Sequence, residues 1–221
     1  MKTKLFLVLI FTSSILFAQD SIQNKKSETR LIAFTPLSNK IEKVNGLTIG
    51  VGMDDVLLPN SSKKTINGLN LDVNPLGFLM FCFYDTSKIR NTKDVLQHNG
   101  LNISLAGFLR NNSHSGINLS MYNYGNKTNG ISITAVGNVV EELNGIYIGA
   151  IGNYAEKGTG ITIGTFNEVK EFKGVQIGLS NKSDKMKGLQ IGLVNRNKNG
   201  RNFQIGFWNR NSKRTLPLIN F

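Results

Sequence analysis

The chain has 221 residues, with 26 Lys and Arg against 14 Asp and Glu, so its formal net charge is +12. Apolar residues make up 40% of the chain and charged residues 18%, which excludes a disordered polyelectrolyte and a bundle of membrane-spanning helices. The single cysteine, Cys82, excludes a disulfide framework and a cysteine-based zinc site, and two histidines leave little room for a histidine-centred metal site.

The first eighteen residues have the pattern of a secretory signal peptide. Lys2 and Lys4 form a basic start, and an apolar run follows over 5–17. The run ends at Ala18 and is shorter than the roughly 20 residues that span a bilayer as a helix. The pattern predicts export, cleavage near Gln19, and a location in the bacterial periplasm, in the outer membrane or at the cell surface.

From residue 46 onward the chain is organised by a repeat. The unit reads G-Φ-x-Φ-small-Φ-x-N, where Φ is apolar, and from Gly116 the units are spaced by 14 or 15 residues. About eleven units occur, the last one partial, and internal repeats of this kind are typical of stacked architectures. The units begin at Gly46, Gly68, Gly100, Gly116, Gly130, Gly145, Gly160, Gly174, Gly188, Asn202 and Leu216.

Within each unit the apolar residues alternate with small or polar ones, which is the period of a β-strand. In the unit from Gly174, Val175 and Ile177 point one way and Gln176 the other. The fourth position is Ile or Leu in every unit, so we expect a buried Ile column with Gln176 on the opposite, solvated side. The Asn at the eighth position is expected at a corner, with its amide bonded to the next coil.

Two architectures can use such a unit. In a single-domain β-solenoid or β-roll each unit is one coil, and like residues stack at roughly 4.8 Å per coil. In an antiparallel outer-membrane β-barrel each unit is one strand, and its apolar residues face lipid. The uniform Ile column, and the lack of alternating long and short connections, favour the all-β solenoid, with the barrel as the alternative.

The early part of the chain is less regular. Residues 19–45 are expected to form a lead-in that caps the open end of the solenoid. The β-repeat domain over 46–221 contains a long apolar insertion around 75–99. Its segment 75–84 either packs against the core or contacts a membrane or another partner.

The residues with catalytic potential form no recognisable constellation. The acids fall mostly in the segments after each Asn, where the repeat places them on one solvated edge. The adjacent pair Asp54-Asp55 is interpreted as a surface turn, and His114 as a turn residue rather than a metal ligand. We therefore expect no catalytic, cofactor-binding or metal-binding residues, and no cofactor.

The later units resemble a family of bacterial surface repeat-containing proteins. The segments KGVQIGLSNKSDKMKGLQIGLVNRN and IGFWNRNSKRTLPLINF carry this resemblance, which extends over roughly residues 46–221. It implies an exported cell-surface or envelope protein with a structural or adhesive role, and it transfers no catalytic residue. The barrel alternative would instead imply a small pore or anchor.

A basic stretch near the C-terminal end is the candidate binding surface. Arg196 and Arg210 hold the same place in successive units, so a solenoid stacks them on one edge beside Trp208. No acid lies between Arg196 and Arg214, which predicts an anionic envelope polymer or lipid headgroups as partner, rather than nucleic acid. The candidate anion-binding edge comprises Arg196, Arg201, Arg210, Lys213 and Arg214.

Overall fold

The computed structural model describes residues 27–54, 63–74, 93–109, 112–200 and 202–221. The predicted signal peptide, the segment 75–84 and Arg201 lie outside the described residues. The described chain forms one ten-stranded sheet. Its strands are β1 (Glu28–Thr35), β2 (Ile41–Gly50), β3 (Lys64–Asp72), β4 (Leu96–Ser104), β5 (Gly107–Phe108), β6 (Asn112–Ile177), β7 (Ser180–Ile191), β8 (Val194–Asn199), β9 (Asn202–Arg210) and β10 (Thr215–Asn220).

Successive strands stack in parallel, with equivalent residues of the repeat opposite one another. Gly46 pairs with Gly68, and Gly174 pairs with Gly188. The strands follow chain order across the sheet from β1 to β10, with β5 beside β6, and the sheet is open at both ends. The prediction of an all-β solenoid is confirmed. The antiparallel barrel is wrong for the described part of the chain, because every pairing except that of β9 with β10 is parallel.

Each coil from the one at Gly46 to the one at Gly188 begins with a glycine, and a steric constraint requires glycine at this position. These glycines have φ between +116° and +155°, a region that side chains strongly disfavour. A Cβ on Gly174 would lie 1.9 Å from the carbonyl oxygen of Gly160, one coil earlier. The backbones therefore approach too closely for any other residue type to fit.

The interior of the solenoid is the reverse of the predicted one. Gln176 and Gln190, at the third position, are fully buried, whereas Ile205, at the fourth, is 40% exposed. The predicted alternation is correct, but the buried Ile column is wrong because the Ile side faces outward. Parallel stacking in register lets buried amides bond to one another, so polar side chains can fill this interior.

Core side chains, apolar in five of the ten units from Gly46 to Asn202, lie two positions before the unit start. Here Phe172 stacks on Met186, and Ile66 stacks on His98, which stacks on His114. Two further apolar side chains, Val140 and Val169, belong to the same cluster of buried residues as Phe172 and Met186. The hydrophobic part of the core therefore lies beside the segments after the corner Asn, and not beneath the Ile column.

The two ends of the described sheet differ. At one end β1 pairs in parallel with β2, with Ile32 opposite Leu47, so the lead-in supplies an end strand. Residues 96–99 of the predicted insertion belong to β4. At the other end β10 runs antiparallel to β9, with Ile219 opposite Ile205. The partial last unit is therefore not a further coil but a returning strand that covers β9.

Candidate functional site

Ladders of side-chain amides run along the solenoid and hold successive coils together. At the corner, Asn167 donates to Asn181 over 2.9 Å, and Asn181 donates to Asn195 over 2.8 Å. The amide of Asn181 also donates to the main-chain oxygen of Ile191 in the next coil. The predicted corner Asn, bonded to the next coil, is confirmed.

A second ladder fills the interior at the third position. Asn70 donates to Asn102 over 2.7 Å, and Gln204 donates to Gln190 over 2.8 Å. The ladder is interrupted at Tyr147, whose hydroxyl donates to the Thr128 carbonyl instead, and at Thr162. The Thr162 Oγ1 and the Gln176 Nε2 are buried without a partner. Elsewhere in the ladder each amide bonds to its neighbours, and this satisfies groups that water cannot reach.

The side chains at the second, fourth and sixth positions form an outward-facing surface, named here the apolar face. Val175 stacks on Leu189, and Ile177 stacks on Ile191. In the ten units from Gly46 to Asn202 these three positions carry no charged residue. Its most exposed side chains lie at and beside the sixth position: Val73, Leu105, Ile151, Phe166, Leu179, Leu193, Phe207 and Trp208.

Polar residues at the fourteenth position border the apolar face. In the earlier coils they form a third ladder, in which Asn67 donates to Asn45 and Asn99 donates to Asn67, each over 2.8 Å. In later coils the border consists of Lys173 and Lys187, which stack on each other. The border is therefore neutral along most of the solenoid and basic near the C-terminal end.

The segments after the corner Asn form a second surface, named here the charged edge. Its ion pairs join residues one coil apart, such as Lys182 with Glu168 at 2.7 Å and Lys198 with Asp184 at 2.8 Å. The hydrogen bond from Lys198 lowers the pKa of Asp184. The predicted position of the acids on one solvated edge is confirmed by these pairs.

Glu142 joins three coils on the charged edge. Its carboxylate lies 2.9 Å from Lys127 and 3.1 Å from Lys157. Hydrogen bonds from Lys127, then from Asn144, lower the pKa of Glu142 to about 2, with burial opposing them. Charge on this side of the solenoid is therefore balanced between coils.

The structure places the described residues of the predicted anion-binding edge along one line of stacked coils and in the turn that follows it. Arg196 stacks on Arg210 and, on its other side, on Lys182. Lys213 and Arg214 instead lie in the turn between β9 and β10, where the guanidinium of Arg214 is 4.4 Å from the ring centroid of Phe221. Arg210 ends β9 and pairs with Thr215, so the stacked arginines lead directly into the turn that carries Lys213 and Arg214.

A buried histidine pair was missed by the sequence analysis. The Nδ1 atoms of His98 and His114 are 2.9 Å apart, the rings are stacked, and both Nε2 atoms are buried without a partner. Burial, aided by the charge of His114, lowers the pKa of His98 to about 3. Burial also lowers the pKa of His114 to about 4, against a backbone hydrogen bond at Ile117. The interpretation of His114 as a turn residue is wrong, because it lies inside β6.

Two acids of the early coils, Asp54 and Asp72, are shielded from solvent. Asp54 is buried, and its Oδ1 accepts a 2.7 Å hydrogen bond from the Leu37 amide, so the surface-turn interpretation is wrong for this residue. Asp55 lies outside the described residues. Burial raises the pKa of Asp72 to about 6, although hydrogen bonds from Ser104 and Asn70 oppose the shift. Asp54 and Asp72 line the same small cavity, together with Thr35 and Asn70.

Within the described ranges no group of three or more His, Cys, Asp or Glu side chains could hold a metal ion. In the same ranges no helix has the length and apolar character needed to cross a bilayer.

Comparison with protein-family models, with curated proteins and with solved structures finds no match. The resemblance to bacterial surface repeat-containing proteins stays a prediction, and function has to be argued from the two surfaces.

Proposed function

We propose that the protein is an exported bacterial envelope protein, in which a rigid β-solenoid has a structural or adhesive role without catalysis. The apolar run over 5–17, after a basic start, supports export. The amide ladders support rigidity, since every coil is bonded to the next by side chains as well as by backbone. A rigid rod offers a repeated surface to a partner.

The charged edge and the apolar face differ strongly in charge, and this difference supports a binding role for the apolar face. The charged edge has its ion pairs between coils, whereas the apolar face has no charge at its three outward positions. Leu193 and Phe207 on that face are 57% and 73% exposed. Large contiguous apolar surfaces on soluble proteins mark binding sites.

Export is tested by expressing the full chain in a bacterial host and sequencing the N-terminus of the fractionated protein. We expect a mature N-terminus near Gln19 and recovery outside the cytoplasm. The substitution Leu9→Arg interrupts the apolar run and should retain the chain in the cytoplasm. Leu9→Val, which keeps the run apolar, is the control. Recovery of an exported product that still begins at Met1 would contradict the proposed leader.

A further inference from the structure

We infer that the apolar face is a docking surface for a phospholipid bilayer that contains anionic lipids. The inference rests on the proposed envelope location and names the partner of the binding surface. In this arrangement the solenoid lies flat on the bilayer, with the apolar face in the headgroup and upper acyl region. The charged edge then points to water.

The chemistry of the apolar face matches such a surface. Across ten coils at roughly 4.8 Å each, and four residues at roughly 3.3 Å each, the face covers on the order of 600 Å². Its outer border carries exposed aromatic side chains, among them Phe166, Phe207 and Trp208. Apolar and aromatic side chains on one side of an element, with charges on the other, are typical of interfacial binding.

Basic side chains at the border of the apolar face favour anionic lipid. The fourteenth position, which borders the apolar face, carries Lys173 and Lys187 and no acid in the described coils. Among the described residues neither lysine forms an ion pair, whereas Lys182 and Lys185 on the charged edge are paired with acids. Cations at the border of an apolar surface are attracted to anionic headgroups.

A second copy of the chain suits this surface less well. Two copies packed face to face would bring together surfaces that carry cations and no acid. The mature chain without residues 1–18 has 24 basic and 14 acidic residues, and this net positive charge on each copy also opposes association.

Trp208 gives a direct readout of contact. It is the only tryptophan and borders the apolar face, where 49% of it is exposed. Vesicles of phosphatidylcholine, with and without phosphatidylglycerol, are added to the purified full chain. We expect a blue shift of Trp208 emission, quenching by brominated lipid chains, and co-sedimentation that is stronger with phosphatidylglycerol and weaker at high salt.

Two pairs of variants with the same charge change locate the surface. In one, Lys173→Gln is combined with Lys187→Gln at the apolar border; we expect affinity for anionic vesicles to fall about tenfold. In the other, Lys182→Gln is combined with Lys185→Gln on the charged edge. Lys185 and Lys182 lie roughly 7 and 16 Å away from Lys187 along the chain, and both are paired with acids, so the loss should stay below about threefold.

A third variant removes the apolar contact itself. Leu179→Ser, Leu193→Ser and Phe207→Ser together should reduce vesicle binding at least about tenfold, since each removes a side chain that would be buried in lipid. All three residues are more than half exposed, so thermal unfolding followed by circular dichroism should show an intact fold.

These measurements distinguish lipid binding by the apolar face from lipid binding by the apolar run over 5–17. Every variant keeps the same N-terminus, so lipid binding through residues 5–17 alone would leave all variants equal and Trp208 unquenched. That result, or a dimer that buries Trp208 without lipid, would overturn the inference. An exported protein that fails to bind vesicles would also overturn it while leaving the proposed envelope location in place.

Discussion

At the scale of single residues, the clearest energetic feature is a pair of neutral histidines inside a polar solenoid. His98 and His114 share one hydrogen bond between their Nδ1 atoms, so one nitrogen donates and the other accepts. Protonation of the accepting Nδ1 would break this bond, and protonation of either ring would leave a charge buried beside Phe108. Both rings therefore stay neutral in the folded state well below the ordinary histidine pKa.

This neutrality makes stability fall in mild acid. The pKa of each histidine is lowered from 6.5 to about 3 or 4 on folding. Below pH 6.5 the unfolded chain therefore binds protons that the folded chain does not. Two such residues should cost about 4 kcal/mol of unfolding free energy between pH 7.5 and pH 5, a loss that begins as the pH falls through 6.5.

The comparison variant combines His98→Leu with His114→Leu. Leucine continues the buried column and removes two unpartnered nitrogens, so folding should be retained. Asp72, whose raised pKa favours the folded state in acid, opposes the histidines but is present in both proteins. Urea unfolding between pH 7.5 and pH 5 should show the loss of stability in the parent protein alone. An equal loss in both proteins would contradict the role assigned to the pair.

The sequence-based prediction was wrong about which side chains of each strand point into the solenoid, although the sequence contains a pattern that indicates the correct side. Lys173 has the same parity as Val175 and Ile177, and Phe172 has the parity opposite to theirs. A lysine is rarely placed in an interior, so this parity places the Ile side outside. Hydrophobicity alone assigned the wrong side to the interior, because it does not predict an interior filled by hydrogen-bonded amide side chains.

At the scale of the elements, the interior ladder determines how strands of neighbouring coils support one another. Gln190 donates to Gln176 and accepts from both Gln204 and Asn202, each over 2.8 Å. One side chain thus bonds β6, β7 and β9. The repeat period and the corner Asn could be predicted because each depends on spacing along the chain. This side-chain bonding depends on which coil lies opposite, which spacing does not give.

Gln190→Leu should therefore destabilise the solenoid. Leucine fills similar space but leaves buried amide groups on both sides with fewer partners, at a cost of about 2 kcal/mol or more. The matched control is Leu193→Gln, on the exposed apolar face, which should change stability by less than about 0.5 kcal/mol. Urea unfolding monitored by circular dichroism measures both. Equal effects of the two substitutions would show that the assignment of inside and outside is incorrect.

At the scale of the whole molecule, the charged edge, the apolar face and the two ends have separate roles. Ion pairs between coils, such as Lys170 with Glu156, balance charge along one side. Exposed pairs of this kind contribute little stability each, so cohesion comes from the ladders and the backbone. The closing of the C-terminal end could not be predicted from the repeat, since Ile219 occupies its expected column even though β10 runs in the opposite direction.

The returning strand β10 explains how a stack of identical coils ends. It pairs with β9, and the buried amide of Asn220 donates to Gln204 over 3.1 Å, which closes the interior ladder. Without β10, strand β9 would present unpaired backbone groups and an open amide ladder. Exposed edges of this kind pair with other chains.

Removal of residues 211–221 should therefore expose the edge of β9 and cause the protein to associate into larger assemblies through that edge. Light scattering and thioflavin T fluorescence at increasing protein concentration measure the change. The truncation also removes Lys213 and Arg214, whose charges oppose association, so the control is the full chain with Lys213→Gln and Arg214→Gln. That control loses the same two charges but keeps β10 and should remain dispersed. Assembly of both proteins would assign the effect to charge, and assembly of neither would mean that β10 does not protect the edge of β9.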